Sequence, residues 1–171
     1  RLRADRRGRL RATTSEIVDG SWLSHPVGDL ISQYGLELIV DETLAVSATS
    51  RIDVSARGYL GGRSGGNPAN DGRTLGNTSV GGSTRRNGGS HGGSGAFGSV
   101  GGTVNVLYGD PNDPNNPGSG GGSDNGAAGN GGGVIRLQAR DLVLNGNIVA
   151  DGGAGVTWAG GGSGGSIKLI T

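Results

Sequence analysis

Apolar and polar residues alternate in two stretches of this chain and nowhere else for long. In the first, Leu36, Leu38 and Val40 alternate with Glu37 and Ile39, Leu44 and Val46 follow, and Ile52 and Val54 complete the set. In the second, Val134, Ile135 and Leu137 are followed by Leu142, Val143 and Leu144, then by Ile148 and Val149. A two-residue period rich in β-branched side chains predicts short strands. Asp41-Glu42-Thr43 and Ala48-Thr49-Ser50 separate the first three runs. Asn145-Gly146 predicts a turn, being a pair favoured where φ is positive. Thr103 to Tyr108 predicts one more strand, followed by a turn-rich loop from Gly109 to Gly118. Residues 1–35 are less regular and read as an Arg-rich segment leading into a strand-and-turn cap.

The two stretches are related by repetition. Gly132-Gly133-Val134-Ile135-Arg136-Leu137 returns as Gly164-Gly165-Ser166-Ile167-Lys168-Leu169, and the spacing of Leu44 to Ile52 parallels that of Leu142 to Ile148. Recurring units of short strands and a glycine loop are the signature of a solenoid, in which each coil buries its apolar face on the next. The expected fold is all-β: parallel β-helix or β-solenoid coils over residues 36–171, with a glycine-rich, polyproline II-like insertion at 58–133. The coils at 36–58 and 134–153 are expected to be neighbours, with the glycine block looping out between them.

Composition bears mainly on that block. Glycine supplies 40 of the 171 residues, against about 7% in an average protein. Gly89, Gly92, Gly95, Gly98 and Gly101 keep a strict period of three, and Gly126, Gly129 and Gly132 repeat it. Three residues per turn is the period of polyproline II, whose main-chain groups must find partners in a neighbouring segment or in water. A disordered linker has no reason to keep such a phase.

Charge and special residues narrow the chemistry. Six Arg and one Asp in the first 11 residues carry +5, while the whole chain carries +1. That asymmetry reads first as a solvated end, and otherwise as a contact for an acidic surface such as an anionic polysaccharide or lipid head groups. No aromatic residue interleaves the arginines to stack on bases, which argues against nucleic acid. The chain has no Cys, which excludes disulfides, thiolate zinc and iron–sulfur sites. No apolar run is long enough to span a membrane. The chain starts on Arg and stops within the strand-like run Ile167–Thr171, which predicts a longer protein or a partner that continues the strand.

Candidate chemistry is sparse. His25, before Pro26 in a turn, and His91, in the glycine block, are expected to carry no catalytic or ligand role. Asp53 and Asp151 occupy equivalent places in their coils, the arrangement a β-helix polysaccharide enzyme would need, though two turn carboxylates explain them as well. The best metal candidate is Asp110, Asn112 and Asp113 with Asp124 nearby, hard oxygen ligands that suit Ca²⁺, although Pro111 and Pro114 are also ordinary turn residues. The glycines are followed by neither Gly-Lys-Ser/Thr nor a helix, which excludes a phosphate loop. Trp158, in a glycine loop, would stack on a sugar or pack on a neighbouring segment.

Ser50 to Gly62, Gly72 to Thr78, Gly118 to Gly122 and Gly161 to Leu169 resemble glycine-rich β-solenoid segments of very large, repetitive secreted bacterial surface proteins. The period-three block also resembles, in architecture alone, the glycine-rich polyproline II bundles of an insect-like antifreeze protein and of phage tail-tip adhesins. The first resemblance implies an extracellular, cell-surface, non-enzymatic structural or adhesive module and offers no catalytic residues. Its expected partners are copies of itself or neighbouring repeats. A carbohydrate-active β-helix enzyme and a glycan-binding module are the alternatives.

Overall fold

The computed structural model describes residues 3–4 and 9–171. Most of the Arg-rich lead therefore lies outside the described residues. Among the described residues all regular structure is strand, and no helix is long and apolar enough to cross a membrane.

Where the sequence alternates, strands form. β1 (Arg3–Ala4), β2 (Leu10–Ala12), β3 (Ser15–Ile17) and β4 (Trp22–Leu23) precede the long β5 (Leu36–Val46) and the short β6 (Arg51–Asp53). β7 (Val134–Leu144), β8 (Asn147–Val149) and β9 (Ser166–Ile170) follow. Leu36, Leu38 and Val40 point inward along β5. The pairing register with β7 slips between Val40 and Thr43, so the polar Asp41-Glu42 shifts the pairing but breaks neither the strand nor its inward phase. Beyond the slip Leu44 and Val46 are again buried. A bulge of this kind bends a strand without ending it.

The strands form two sheets. The larger is six-stranded in the order β1-β2-β5-β7-β9, with β3 also on β5; the smaller is β4-β6-β8. All pairs are parallel except β1 on β2. Parallel sheets are normally buried on both faces. Here Leu38, Leu44, Val46, Ile52, Val54, Ile135 and Leu137 fill the single core between them. Each such side chain is worth about 1.5–3 kcal/mol when fully buried. Ile52 lies opposite Ile148, and Leu44 opposite Leu142, so the two alternating stretches are neighbours.

The β-solenoid expectation is corrected on two points. First, no named strand lies between Asp53 and Val134, so strands organise into two sheets of unequal size instead of successive coils. Thr103–Tyr108 forms no strand, and Val106 is 82% exposed. Second, the glycine-rich residues do not loop out as an insertion. They pack against segments that precede and follow them in sequence. Tyr59 N donates to Gly118 O, Gly118 N to Gly132 O, Gly129 N to Gly160 O and Ser163 N to Ser119 O, at 2.9–3.0 Å. The physical reason is that a coil stacks by burying side chains, which glycine lacks. Bare backbones instead approach until main-chain groups satisfy one another.

The centre of this packing is Gly118–Ser123, a run of buried residues. Gly120 N donates to Arg73 O, Gly121 N to Gly129 O, Gly122 N to Asn87 O and Ser123 N to Asn70 O. A Cβ on Gly120 would fall within 3.0 Å of Leu60 O, and one on Gly131 would collide with Gly118 O. The period-three run at 89–101 is peripheral to this centre. Gly89, Gly95 and Gly98 each abut another backbone, but Gly92 and Gly101 face open space with left-handed φ of 64° and 75°. Equal spacing thus conceals two different uses of glycine. Gly146, in the Asn145-Gly146 turn, is likewise required by crowding: its Cβ would meet Ser47 O and Ser50 O, and neither residue of the pair has positive φ.

Candidate functional site

The loop after Tyr108 builds a concave surface. Gly109 turns the chain with φ 107°. The following loop is then pinned to the larger sheet from several directions. Lys168 Nζ lies 2.5 Å from Asp113 Oδ1, and Arg136 Nη1 lies 3.4 Å from it. Ser166 Oγ donates to Asn116 O at 2.7 Å, and Tyr108 Oη donates to Pro117 O at 2.6 Å. These ties fix the loop as one wall of a cleft of about 610 Å³, within the size range of small-ligand sites.

Leu107, Pro111, Pro114 and Ile167 supply the apolar lining. His91 and Tyr108 supply the rings, with centroids 4.9 Å apart and planes tilted by 47°. His91 Nδ1 lies 3.0 Å from Gly164 O. In the neutral ring, with Nδ1 donating to that carbonyl, Nε2 is left as an acceptor. Asp110 contributes a carboxylate, of which Oδ1 accepts from Asn112 N at 2.8 Å. The Tyr108 hydroxyl also accepts from Ser119 Oγ at 2.9 Å, and burial raises its pKa strongly, so it stays protonated and structural.

The proposed metal ligands have separate engagements. Asp110 and Asn112 share a local turn, Asp113 faces Lys168 and Arg136, and Asp124 Oδ2 pairs with Arg86 Nε at 3.0 Å. The Lys168 and Arg136 bonds and charges hold the Asp113 carboxyl below the usual carboxylate range. Among the described residues no three His, Cys, Asp or Glu converge where they could hold a metal ion.

The remaining candidates serve the framework. His25 is buried; Nδ1 lies 2.8 Å from Pro26 O, and Nε2 sits beside Gly133 without a hydrogen-bond partner. Burial lowers its pKa, and Arg57 adds to the effect. Asp53 Oδ1 accepts from Ser55 N at 2.9 Å. Burial would raise its pKa, but the Ser55 bonds and the charges of Arg51 and Arg57 bring it below the ordinary value. Asp151 meets the same turn through its main chain, donating to Ser55 Oγ and accepting from Ala56 N. Trp158 adopts a left-handed φ of 66° and stacks under the Arg86 guanidinium, 3.8 Å from the ring centroid. Trp22 is similarly placed beneath Arg51, at 4.7 Å.

One residue stands out that the sequence pattern did not single out. Asn105 is buried at the heart of the glycine segments. Its Oδ1 accepts from Ser90 N at 2.7 Å and Ser83 Oγ at 2.9 Å, while Nδ2 reaches Ser90 O, Val106 O and Ser119 Oγ at 3.0 Å. A lone Asn between Val104 and Val106 looks like the polar face of a strand, so its spacing carried no signal.

Comparison with protein-family models, with curated proteins and with solved structures finds no match for this chain.

Proposed function

We propose that the chain is a non-enzymatic structural or adhesive module of the extracellular cell surface, associating with copies of itself or with neighbouring repeats of a longer surface protein. The observation that carries this reading is the contrast between a fixed main chain and an apolar exterior. The glycine segments are cross-linked through Gly118–Ser123, yet Leu75, Val80, Phe97, Val106 and Leu107 project into solvent from them. Exposed apolar groups on a rigid support are what a contact surface offers a partner. The commitment of Asp53, Asp113 and Asp124 to neighbouring amides and cations also favours a scaffold over acid–base chemistry. The resemblance of Ser50–Gly62 and Gly161–Leu169 to secreted repetitive proteins supports the same location. An anionic polysaccharide would meet the Arg-rich lead.

Negative-stain electron microscopy of the purified chain at high concentration tests the reading, with and without EDTA. Filaments or ordered clusters are expected. Their loss in EDTA would show that a divalent cation such as Ca²⁺ holds the copies together. Separate particles under both conditions would contradict self-association.

A further inference from the structure

We propose that the cleft between the 109–117 loop and β9 binds an uncharged sugar ring, which makes this module a lectin-like binder of neutral oligosaccharides. The inference rests on the adhesive reading and names the ligand class of that surface.

The lining decides the class. Leu107, Pro111, Pro114 and Ile167 offer apolar contact, and the tilted His91–Tyr108 pair offers ring surface. A pyranose has such contacts to make, because its axial hydrogens form an apolar face. The polar groups are mainly acceptors: the Asp110 carboxylate and His91 Nε2, once Nδ1 has bonded Gly164 O. Acceptors of this kind suit hydroxyl donors. The cations nearest this wall, Lys168 and Arg136, are turned onto Asp113 and are absent from the lining. A uronate or sulfate would therefore meet Asp110 without a compensating charge, a like-charge contact that disfavours it. A purely apolar ligand would leave Asp110 desolvated and unpaired, which also carries a penalty.

The cleft is preformed. Four ties, from Lys168, Arg136, Ser166 and Tyr108, hold the loop wall before any ligand arrives. Preorganisation of this kind removes an ordering cost that would otherwise weaken binding.

The test is an array of neutral hexose oligosaccharides printed beside uronate-containing and sulfated ones, followed by calorimetry on the best neutral binder. Three variants accompany the parent chain: Leu107→Asp, Asp110→Ala, and Ile31→Ser as a control at an exposed position outside the cleft. Binding to neutral sugars is expected, weakened about tenfold or more by either cleft change, the effect of losing one good contact. Ile31→Ser should bind like the parent. Absence of neutral-sugar binding, a preference for acidic sugars that Leu107→Asp abolishes, or neutral-sugar affinity unchanged in Leu107→Asp would each overturn the inference. Asp110→Ala removes the acceptor for Asn112 N, so Leu107→Asp, at an exposed position, is the cleaner variant. The two proposals fail separately. Filaments without sugar binding would sink only the cleft. New reducing ends released from a bound neutral oligosaccharide would keep the cleft and sink the non-enzymatic reading.

Discussion

Two halves of this molecule are held together by opposite means. Between the sheets, Leu38, Leu44, Ile52 and Ile135 interlock as side chains, and the main chain follows the strand ladders. Around Gly118–Ser123 there are few side chains to interlock, and backbones touch directly through hydrogen bonds such as Gly120 N to Arg73 O. Apolar burial is non-directional and tolerates repacking, whereas a backbone contact admits no extra atom. The sheet half should thus respond to substitution by degrees, and the glycine half in an all-or-none way, position by position.

The sharpest way to break that comparison is Gly120→Ala. The new Cβ would enter the space of Leu60 O, which is main chain and cannot rotate away. Loss of the cooperative unfolding transition is expected, read by urea titration of tryptophan fluorescence. A folded variant with near-parental stability would remove the distinction between the halves.

Leu44→Ala, in the sheet half, should remain folded and lose about 2–5 kcal/mol, the usual cost of a cavity at a fully buried leucine. Equilibrium denaturation measures it. Asn105→Ala tests the polar hub within the glycine half. It removes the partner of Ser90 N and of the Ser83 hydroxyl, at an expected cost of about 3 kcal/mol. A loss below about 0.5 kcal/mol, the range of ordinary surface changes, would show that the hub is dispensable.

A smaller effect depends on pH. Burial depresses the His25 pKa below its ordinary 6.5, so the unfolded chain binds the proton more readily than the folded one. Its neutral form costs nothing above that value. Stability should fall as pH drops below about 6.5 and level off once the folded-state pKa is passed. Asp29, Asp53 and Asp113 have lowered pKa values, so their contributions are lost only further down, below the ordinary carboxylate range. Denaturation midpoints at pH 8, 6 and 5 should decline, and His25→Gln should flatten the decline. The smallest effect is expected for Gly93→Ala. No atom lies within 4 Å of its Cβ position and its φ is not left-handed, so stability should stay within about 0.5 kcal/mol.

The sheet half was legible in the sequence because alternation has a direct cause: inward Leu36, Leu38 and Val40 must alternate with outward residues in any half-buried strand. The repeat of 132–137 at 164–169 likewise anticipated the pairing of Ile135 with Ile167. The glycine half was legible only as composition. A glycine records that something comes close or that φ is positive, but not which segment comes close. Gly89 and Gly92 share one period and have different reasons. The Thr103–Tyr108 pattern misled because Asn105, not a valine, turned inward. The cleft was illegible for a similar reason: His91, Asp110 and Ile167 are far apart in sequence and come to one cleft with the His91 ring set against Gly164 O and Gly109. Asp110 was singled out as a metal ligand, on spacing that serves equally well for a turn.

The central claim is that the glycine half is a fixed, hydrogen-bonded body and not a flexible linker. Amide hydrogen exchange measures this directly at Gly120, Gly121 and Gly122, whose N–H groups donate to Arg73 O, Gly129 O and Asn87 O. Protection comparable to that of the β7 amides is expected, since buried, bonded amides exchange only when their unit opens. Exchange at the rate of an open chain, while β7 stays protected, would contradict the account.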